Sequence, residues 1–103
     1  MSIKTHKPLV QRVVRWYAKY GSDFVGENVL NNVNLANLQK IFRVESNNPM
    51  YECYPIESFE QKSYLQNKFN FNFNTEEYDY FMECDPIVAI ESIMEGISQG
   101  VQP

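Results

Sequence analysis

The chain has 103 residues, 44% of them hydrophobic and 15% aromatic, and its formal net charge at pH 7 is −4. This length fits one domain with one hydrophobic core. Phosphate contacts require a basic patch, so direct nucleic-acid binding is disfavoured for so acidic a chain. No window is apolar enough for a membrane span or a secretory signal, which predicts a cytoplasmic protein.

The charge is divided unevenly along the chain. Residues 1–43 contain seven Lys and Arg against two Asp and Glu, whereas residues 44–103 contain two against eleven. Such a division indicates either a fold whose halves neutralise each other or an acidic surface directed at a basic partner. The sequence leaves both interpretations open.

Residues 1–8 predict a flexible tail, and residues 9–103 predict a single domain. Leu9–Tyr20 fits both helical spacing and strand alternation, and its β-branched and aromatic content favours a strand. The residues Gly21-Ser22-Asp23 predict a turn, after which Phe24–Leu30 returns as the second strand of a hairpin, with a bulge at Gly26.

The middle of the chain predicts two helices with a short strand between them. Asn31–Arg43 has helical spacing, with Asn32 or Asn34 as its N-cap. Met50–Ile56 predicts a strand that ends at Pro55 or lies at a sheet edge.

The second of these helices is Glu57–Phe69, which opens with a capping box formed by Ser58 and Gln61. Asn70–Thr75 then predicts either a short strand or an extended lead-in to the next element.

The functional interpretation depends on the predicted strand Glu76–Asp85. Alternation places Tyr78, Tyr80, Met82 and Cys84 on one side, and Asp79, Phe81, Glu83 and Asp85 on the other. The first side can bury aromatic area, and the second carries three carboxylates suited to a cationic partner. Asp85-Pro86 then has the N-cap and N1 signals of a third helix ending at Gly100.

Together these elements predict an α+β fold. We expect a single two-layer domain in which a mostly antiparallel sheet of four to five strands is covered by two to three helices.

No catalytic or metal-binding motif is found in the sequence. The only histidine, His6, lies in the predicted tail, and neither Cys53 nor Cys84 has a cationic neighbour in sequence that would activate its thiol. Three Cys and His residues are too few for a four-ligand zinc site, and the four glycines match no phosphate-binding motif. The sequence therefore predicts a protein that is not an enzyme and has no cofactor and no metal.

Acidic residues interleaved with tyrosines indicate recognition of a basic protein surface. Carboxylates steer association, and tyrosines contribute buried area at low entropic cost. The alternative is that the tyrosines belong to the core and the acids only keep the protein in solution. The predicted contact residues are Glu52, Tyr54, Glu57, Glu60, Glu76, Glu77, Asp79, Tyr80 and Glu83.

Two sequence blocks carry a family resemblance: Pro49–Ile56, which reads PMYECYPI, and Tyr78–Glu83, which reads YDYFME. With Arg15-Trp16-Tyr17 and Leu38–Phe42, they resemble small bacterial immunity proteins of polymorphic toxin systems, including contact-dependent growth inhibition. The resemblance covers roughly residues 12–85. In length and acidity the chain is most similar to immunity partners of ribonuclease-type toxins.

This resemblance implies a cytosolic antidote without catalytic activity. Such a protein binds one cognate toxin domain as a monomer in a 1:1 complex and blocks the toxin's active site. It implies no particular contact residues. The alternative function is a non-catalytic scaffold or regulatory domain that forms a homodimer through an edge strand such as Met50–Ile56.

Overall fold

The computed structural model describes residues 9–87, so the predicted tail and all but the first residues of the predicted third helix lie outside it. The elements in chain order are β1 (Val10–Ala18), β2 (Phe24–Leu30), α1 (Leu35–Phe42), β3 (Tyr54–Pro55), α2 (Phe59–Phe69) and β4 (Tyr78–Pro86). The strands form one antiparallel sheet in the order β2-β1-β4-β3. The predicted α+β fold is therefore confirmed. Within residues 9–87 no helix is long and apolar enough to cross a membrane.

Alternation along the two central strands separates the faces of the sheet. Val14 of β1 lies opposite Met82 of β4, and both join the hydrophobic core. Leu38 of α1 and Leu65 of α2 are fully buried in the same core, so both helices cover this face of the sheet. Full burial of one such side chain contributes about 1.5–3 kcal/mol.

Aromatic rings extend this core toward one end of the sheet. Trp16 packs against Phe71 and Tyr80, with ring centroids 5.7 and 5.6 Å apart. Phe73 packs edge-on against Tyr80 at 4.7 Å. Phe71 and Phe73 belong to an irregular segment between α2 and β4, so Asn70–Thr75 is the lead-in and not a strand.

Both helices begin at the capping residues that the sequence indicates. The Asn34 side chain accepts a hydrogen bond from the backbone N–H of Asn37 at 3.1 Å. At α2, Ser58 Oγ accepts from the N–H of Gln61 at 3.0 Å, and Gln61 Oε1 accepts in return from the N–H of Ser58. The predicted capping box is therefore present, and it satisfies backbone donors that the first helical turn leaves free.

The predicted bulge in β2 is also present. The pairing register shifts beside Gly26, between the pairs Trp16–Gly26 and Tyr17–Phe24. A methyl group at Gly26 would lie 2.7 Å from Cζ2 of Trp16. Glycine is therefore required here for close approach of the indole ring.

The predicted strand Met50–Ile56 is wrong for most of its length, because only Tyr54–Pro55 pairs with β4. Met50 has a φ of 56°, and its N–H donates to the Asn48 side chain, which is a turn conformation. Pro55 does lie at a sheet edge, where its missing N–H is tolerated.

The predicted helix start at Asp85-Pro86 is also wrong, because both residues belong to β4 and pair with Gln11 and Val10 of β1. The Asp85 carboxylate binds Arg15 on the neighbouring strand.

Candidate functional site

The face of the sheet opposite the two described helices carries polar and aromatic side chains from three adjacent strands. Strand alternation and register assign them to one side. We call this surface the Arg15 face. Its side chains are Arg15, Tyr17, Lys19, Phe24, Glu27, Asp79, Phe81, Glu83 and Asp85.

Arg15 lies at the centre of this face and binds three carboxylates. Its Nε is 2.7 Å from Glu27 on β2, and its Nη1 is 2.8 Å from Glu83 on β4. Both terminal nitrogens also donate to the two carboxylate oxygens of Asp85, a bidentate pair. The side chain of Arg15 is 19% exposed, so solvent screens these pairs less than it screens fully exposed ones. One guanidinium therefore links β2, β1 and β4.

Two further polar contacts surround this centre. The Tyr17 hydroxyl donates to Glu83 Oε2 at 2.9 Å, and Cys53 Sγ lies 3.7 Å from the same oxygen. Lys19 Nζ is 2.7 Å from the Asp79 carboxylate. Two cations of β1 and the residues after it thus pair with acids of β4.

The ionisation of these groups follows from their contacts. The hydrogen bonds from Arg15 lower the pKa of Asp85, so this carboxylate stays charged at more acidic pH than usual. Burial, together with the hydrogen bond to Glu83, raises the pKa of Tyr17. Burial and the nearby Glu83 charge also raise the pKa of Cys53, which keeps this thiol protonated and weakly nucleophilic.

Three aromatic rings lie beside the charged groups on the same face. Tyr17 packs edge-on against Phe24 at 5.8 Å and against Phe81 at 5.7 Å. Phe24 is 55% exposed, which is a large fraction for a phenyl ring. Partly exposed aromatic rings next to charged groups are typical of protein interfaces.

The structure separates the nine predicted contact residues into different surroundings. Asp79 and Glu83 lie on the Arg15 face. Tyr80 is 6% exposed and belongs to the core, and its hydroxyl accepts from the N–H of Asn74. Tyr80 is therefore not available for contact with a partner.

Most of the remaining predicted residues lie on other elements of the fold. Tyr54 is half-buried against Phe42, with ring centroids 6.0 Å apart. Glu52 is exposed in the loop before β3, and Glu60 lies on α2, 3.7 Å from Arg43. The exposed residues Glu76 and Glu77 occupy the turn before β4.

A groove of about 310 Å³ lies at the start of β4. Asp79 and Tyr80 contribute to its walls, together with Glu57 before α2 and the cations Lys19 and Lys62. The groove thus brings Glu57 near Asp79, although its lining is mixed in charge.

The alternation predicted for β4 is present, and the structure adds that its carboxylates have partners within the chain. Asp79, Glu83 and Asp85 do share one side, but Lys19 and Arg15 of the same chain already pair with them. The site residues that were missed lie mainly on β1 and β2. Alternation of Arg15, Tyr17 and Lys19 along β1 was the available signal.

Pairing does not neutralise the Arg15 face completely. It carries four carboxylates, from Glu27, Asp79, Glu83 and Asp85, against the two cations Arg15 and Lys19. Among residues 9–87, no group of three or more His, Cys, Asp or Glu side chains is arranged to hold a metal ion.

The fold and this surface define a small α+β domain whose sheet has one helix-covered face and one face of paired charges and aromatic rings. The chain belongs to the family described as a domain of unknown function, DUF7683, whose model matches residues 11–83. The matched range includes both helices and most of every strand. Comparison with curated proteins and with solved structures gave no match.

Proposed function

We propose that this domain is an immunity protein that binds a basic toxin domain through the Arg15 face and blocks the toxin's active site. The toxin is a nuclease, the class to which the sequence resemblance points. The observation that carries the proposal is the composition of the Arg15 face, where acids outnumber cations by two and aromatic rings are partly exposed.

Charge supports a basic partner. The carboxylate excess attracts Lys and Arg side chains during encounter, and the exposed Glu76 and Glu77 near the start of β4 add to the same field. Nuclease active sites that bind phosphate are lined by such cations. Because this attraction acts over a screening length of about 8 Å at physiological salt, the association rate falls as salt is added.

The aromatic cluster supplies the part of the contact that does not depend on charge. Phe24 can bury most of its remaining exposed ring area. Tyr17 packs against it, and Phe81 packs in turn against Tyr17. A central aromatic anchor of this kind contributes about 2 kcal/mol or more in many interfaces.

The experiment measures binding and inhibition of the toxin domain encoded beside this protein. The test variant Phe24→Ala/Glu27→Gln removes one ring and one carboxylate from the Arg15 face. The control variant Phe59→Ala/Glu60→Gln makes the same chemical changes on the exposed surface of α2, where Phe59 is 85% exposed. We expect the test variant to bind about 30-fold more weakly, since 2 kcal/mol corresponds to that factor.

Retained melting temperatures show that both variants are folded. If the two variants bind the toxin domain with equal affinity, the Arg15 face is not part of the interface. Absence of any inhibition of RNA or DNA cleavage by the wild-type domain would refute the immunity function itself. Reversal of Glu76 and Glu77 to Lys tests whether the contact extends to the turn before β4.

One observation favours a second candidate, a homodimeric scaffold. Within residues 9–87, β2 is an edge strand of seven residues, and Phe24, Val25 and Val29 on it are exposed. Long edge strands with apolar side chains pair with other chains. Light scattering at micromolar concentration distinguishes the candidates: a dimer that Val29→Lys dissociates supports the scaffold, and a monomer supports the inhibitor.

A further inference from the structure

A buried cation lies on the helix-covered side of the sheet, away from the Arg15 face. Arg12 of β1 is only 9% exposed. It points to the same side of β1 as Val14, because the two residues are two positions apart in a strand. Arginine is seldom buried to this extent unless an anion compensates its charge.

Within residues 9–87 the contacts of Arg12 are to neutral groups. Its two terminal nitrogens donate to the backbone carbonyls of Pro49 and Met50. No carboxylate of the described residues lies within ion-pairing distance of it. A guanidinium has five N–H groups, and two of those of Arg12 bind these carbonyls. Arg12 therefore has further N–H groups that can donate to another acceptor.

Two grooves meet at Arg12. One, of about 420 Å³, extends toward the loop after α1 and is also lined by Asn47 and Tyr51. The other, of about 370 Å³, extends toward the end of β2 and is also lined by Asn31 and Asn32. Val10 and Leu35 border both grooves, and among residues 9–87 no Asp or Glu lines either one. The only formally charged side chain that the described part of the chain contributes to these two grooves is therefore Arg12.

We propose that Arg12 and these grooves form a binding site for a carboxylate group. The planar guanidinium matches the two oxygens of a carboxylate, and amide side chains at the rim can donate additional hydrogen bonds. A phosphate carries more charge and is usually held by several cations or by consecutive backbone N–H groups. Arg12 is the single cation among the described residues that line these grooves. The apolar residues Val10 and Leu35 suit the carbon atoms that carry the carboxylate.

The carboxylate has two sources, a separate molecule or the chain itself. Residues 88–103 follow directly after Ile87, which lines the second groove, and they contain Glu91 and Glu95. The site does not depend on the proposed immunity function, because it lies on the other face of the sheet.

The first experiment measures the melting temperature of the full chain in acetate, phosphate and chloride at equal ionic strength and pH 7. We expect acetate at ten times its dissociation constant to raise the melting temperature by about 5–10 °C relative to chloride. In Arg12→Lys, which keeps the charge but loses the planar fork, this increase falls to less than half. Equal melting temperatures in the three salts, both for the wild type and for Glu91→Gln/Glu95→Gln, or a larger increase with phosphate, would overturn the proposal.

A second variant covers the case in which Arg12→Lys does not fold. Asn47→Asp places a carboxylate on the wall of the groove, and we expect it to raise the melting temperature and to abolish the acetate effect. Asn67→Asp, an identical change on the exposed surface of α2, is the matched control. If both Asp variants respond to acetate as the wild type does, the site does not exist.

A third variant, Glu91→Gln/Glu95→Gln, identifies the source. A larger acetate effect in this variant supports the site and assigns its carboxylate to the chain itself. An unchanged effect supports the site and assigns its carboxylate to another molecule.

Discussion

Substitution of Gly26 by Ala tests how tightly Trp16 determines the packing of the hairpin. The added methyl group would lie 2.7 Å from Cζ2 and 2.9 Å from Cε2 of the indole. The ring cannot move away freely, because Phe71 and Tyr80 pack against it. Overpacking of this kind costs about 1–3 kcal/mol, and we expect about 2 kcal/mol, or about 8–16 °C in melting temperature.

A double-mutant cycle separates this contact from backbone effects. Trp16→Leu removes the whole indole, and with it Cζ2, Cε2 and Nε1, the three atoms nearest the added methyl group. In that background the methyl group meets no indole, and Gly26→Ala should be neutral or stabilising by about 0.4–1 kcal/mol, because alanine restricts the unfolded chain. The coupling between the two positions should therefore exceed about 1 kcal/mol.

The free energy of unfolding of all four proteins is measured by urea titration followed by far-ultraviolet circular dichroism. Tryptophan fluorescence is unsuitable, because Trp16 is the only tryptophan and two of the four proteins lack it. Gly21→Ala is the contrasting case. Its methyl group meets nothing within 4 Å, but the φ of +105° disfavours any side chain, so its cost should be the same in both backgrounds. Equal costs of Gly26→Ala with and without the indole would refute the packing argument.

Three further predictions concern an ion pair, a helix cap and the core. Arg15 lowers the pKa of Asp85 in the folded protein below its value of about 3.9 in the unfolded chain. Their pairing therefore stabilises the fold fully above about pH 3.9, and this contribution is lost as the pH falls through the pKa of Asp85 in the folded protein. Thermal melts should therefore show Asp85→Asn to be less stable than the wild type at pH 7, with the difference shrinking as the pH falls below about 3.9. Ser58→Ala removes the acceptor for the N–H of Gln61 and should lower the free energy of unfolding by about 1 kcal/mol in urea titrations. Leu65→Ala in the core should lower it by about 2–5 kcal/mol, measured in the same way, and a loss under 1 kcal/mol would contradict its burial.

The sequence predicted the elements whose signals are local. Asn34, Ser58 and Gln61 mark helix starts through bonds that span three or four residues, and the structure contains those bonds. The hairpin was predictable for the same reason, because its turn and its two strands are contiguous. The bulge at Gly26 was predicted, but its contact with Trp16 could be predicted only once the register between β1 and β2 was known.

The failures arose where a distant residue overrides a local signal. Asp85 has the composition of an N-cap, yet its carboxylate binds Arg15, seventy positions earlier in the chain. The block Met50–Ile56 alternates like a strand, yet Met50 turns with a positive φ and its carbonyl accepts from Arg12. Such contacts cannot be predicted from the sequence until the order of the strands is known.

The same limit applies to the candidate site. Alternation grouped the carboxylates of β4 correctly, but no property of that stretch alone indicates that β1 supplies their cations. The core position of Tyr80 likewise depends on Trp16 and Phe73, which come from other parts of the chain.

The order of the strands also constrains how the protein is made. The two central strands come from opposite ends of the described chain, since Val10 pairs with Pro86. During translation the β1–β2 hairpin leaves the ribosome first and has no central neighbour until β4 is synthesised. At about 5–20 residues per second, this interval lasts several seconds. A nascent chain arrested before residue 78 lacks β4, so the edge of β1 that pairs with it in the folded protein has no strand partner.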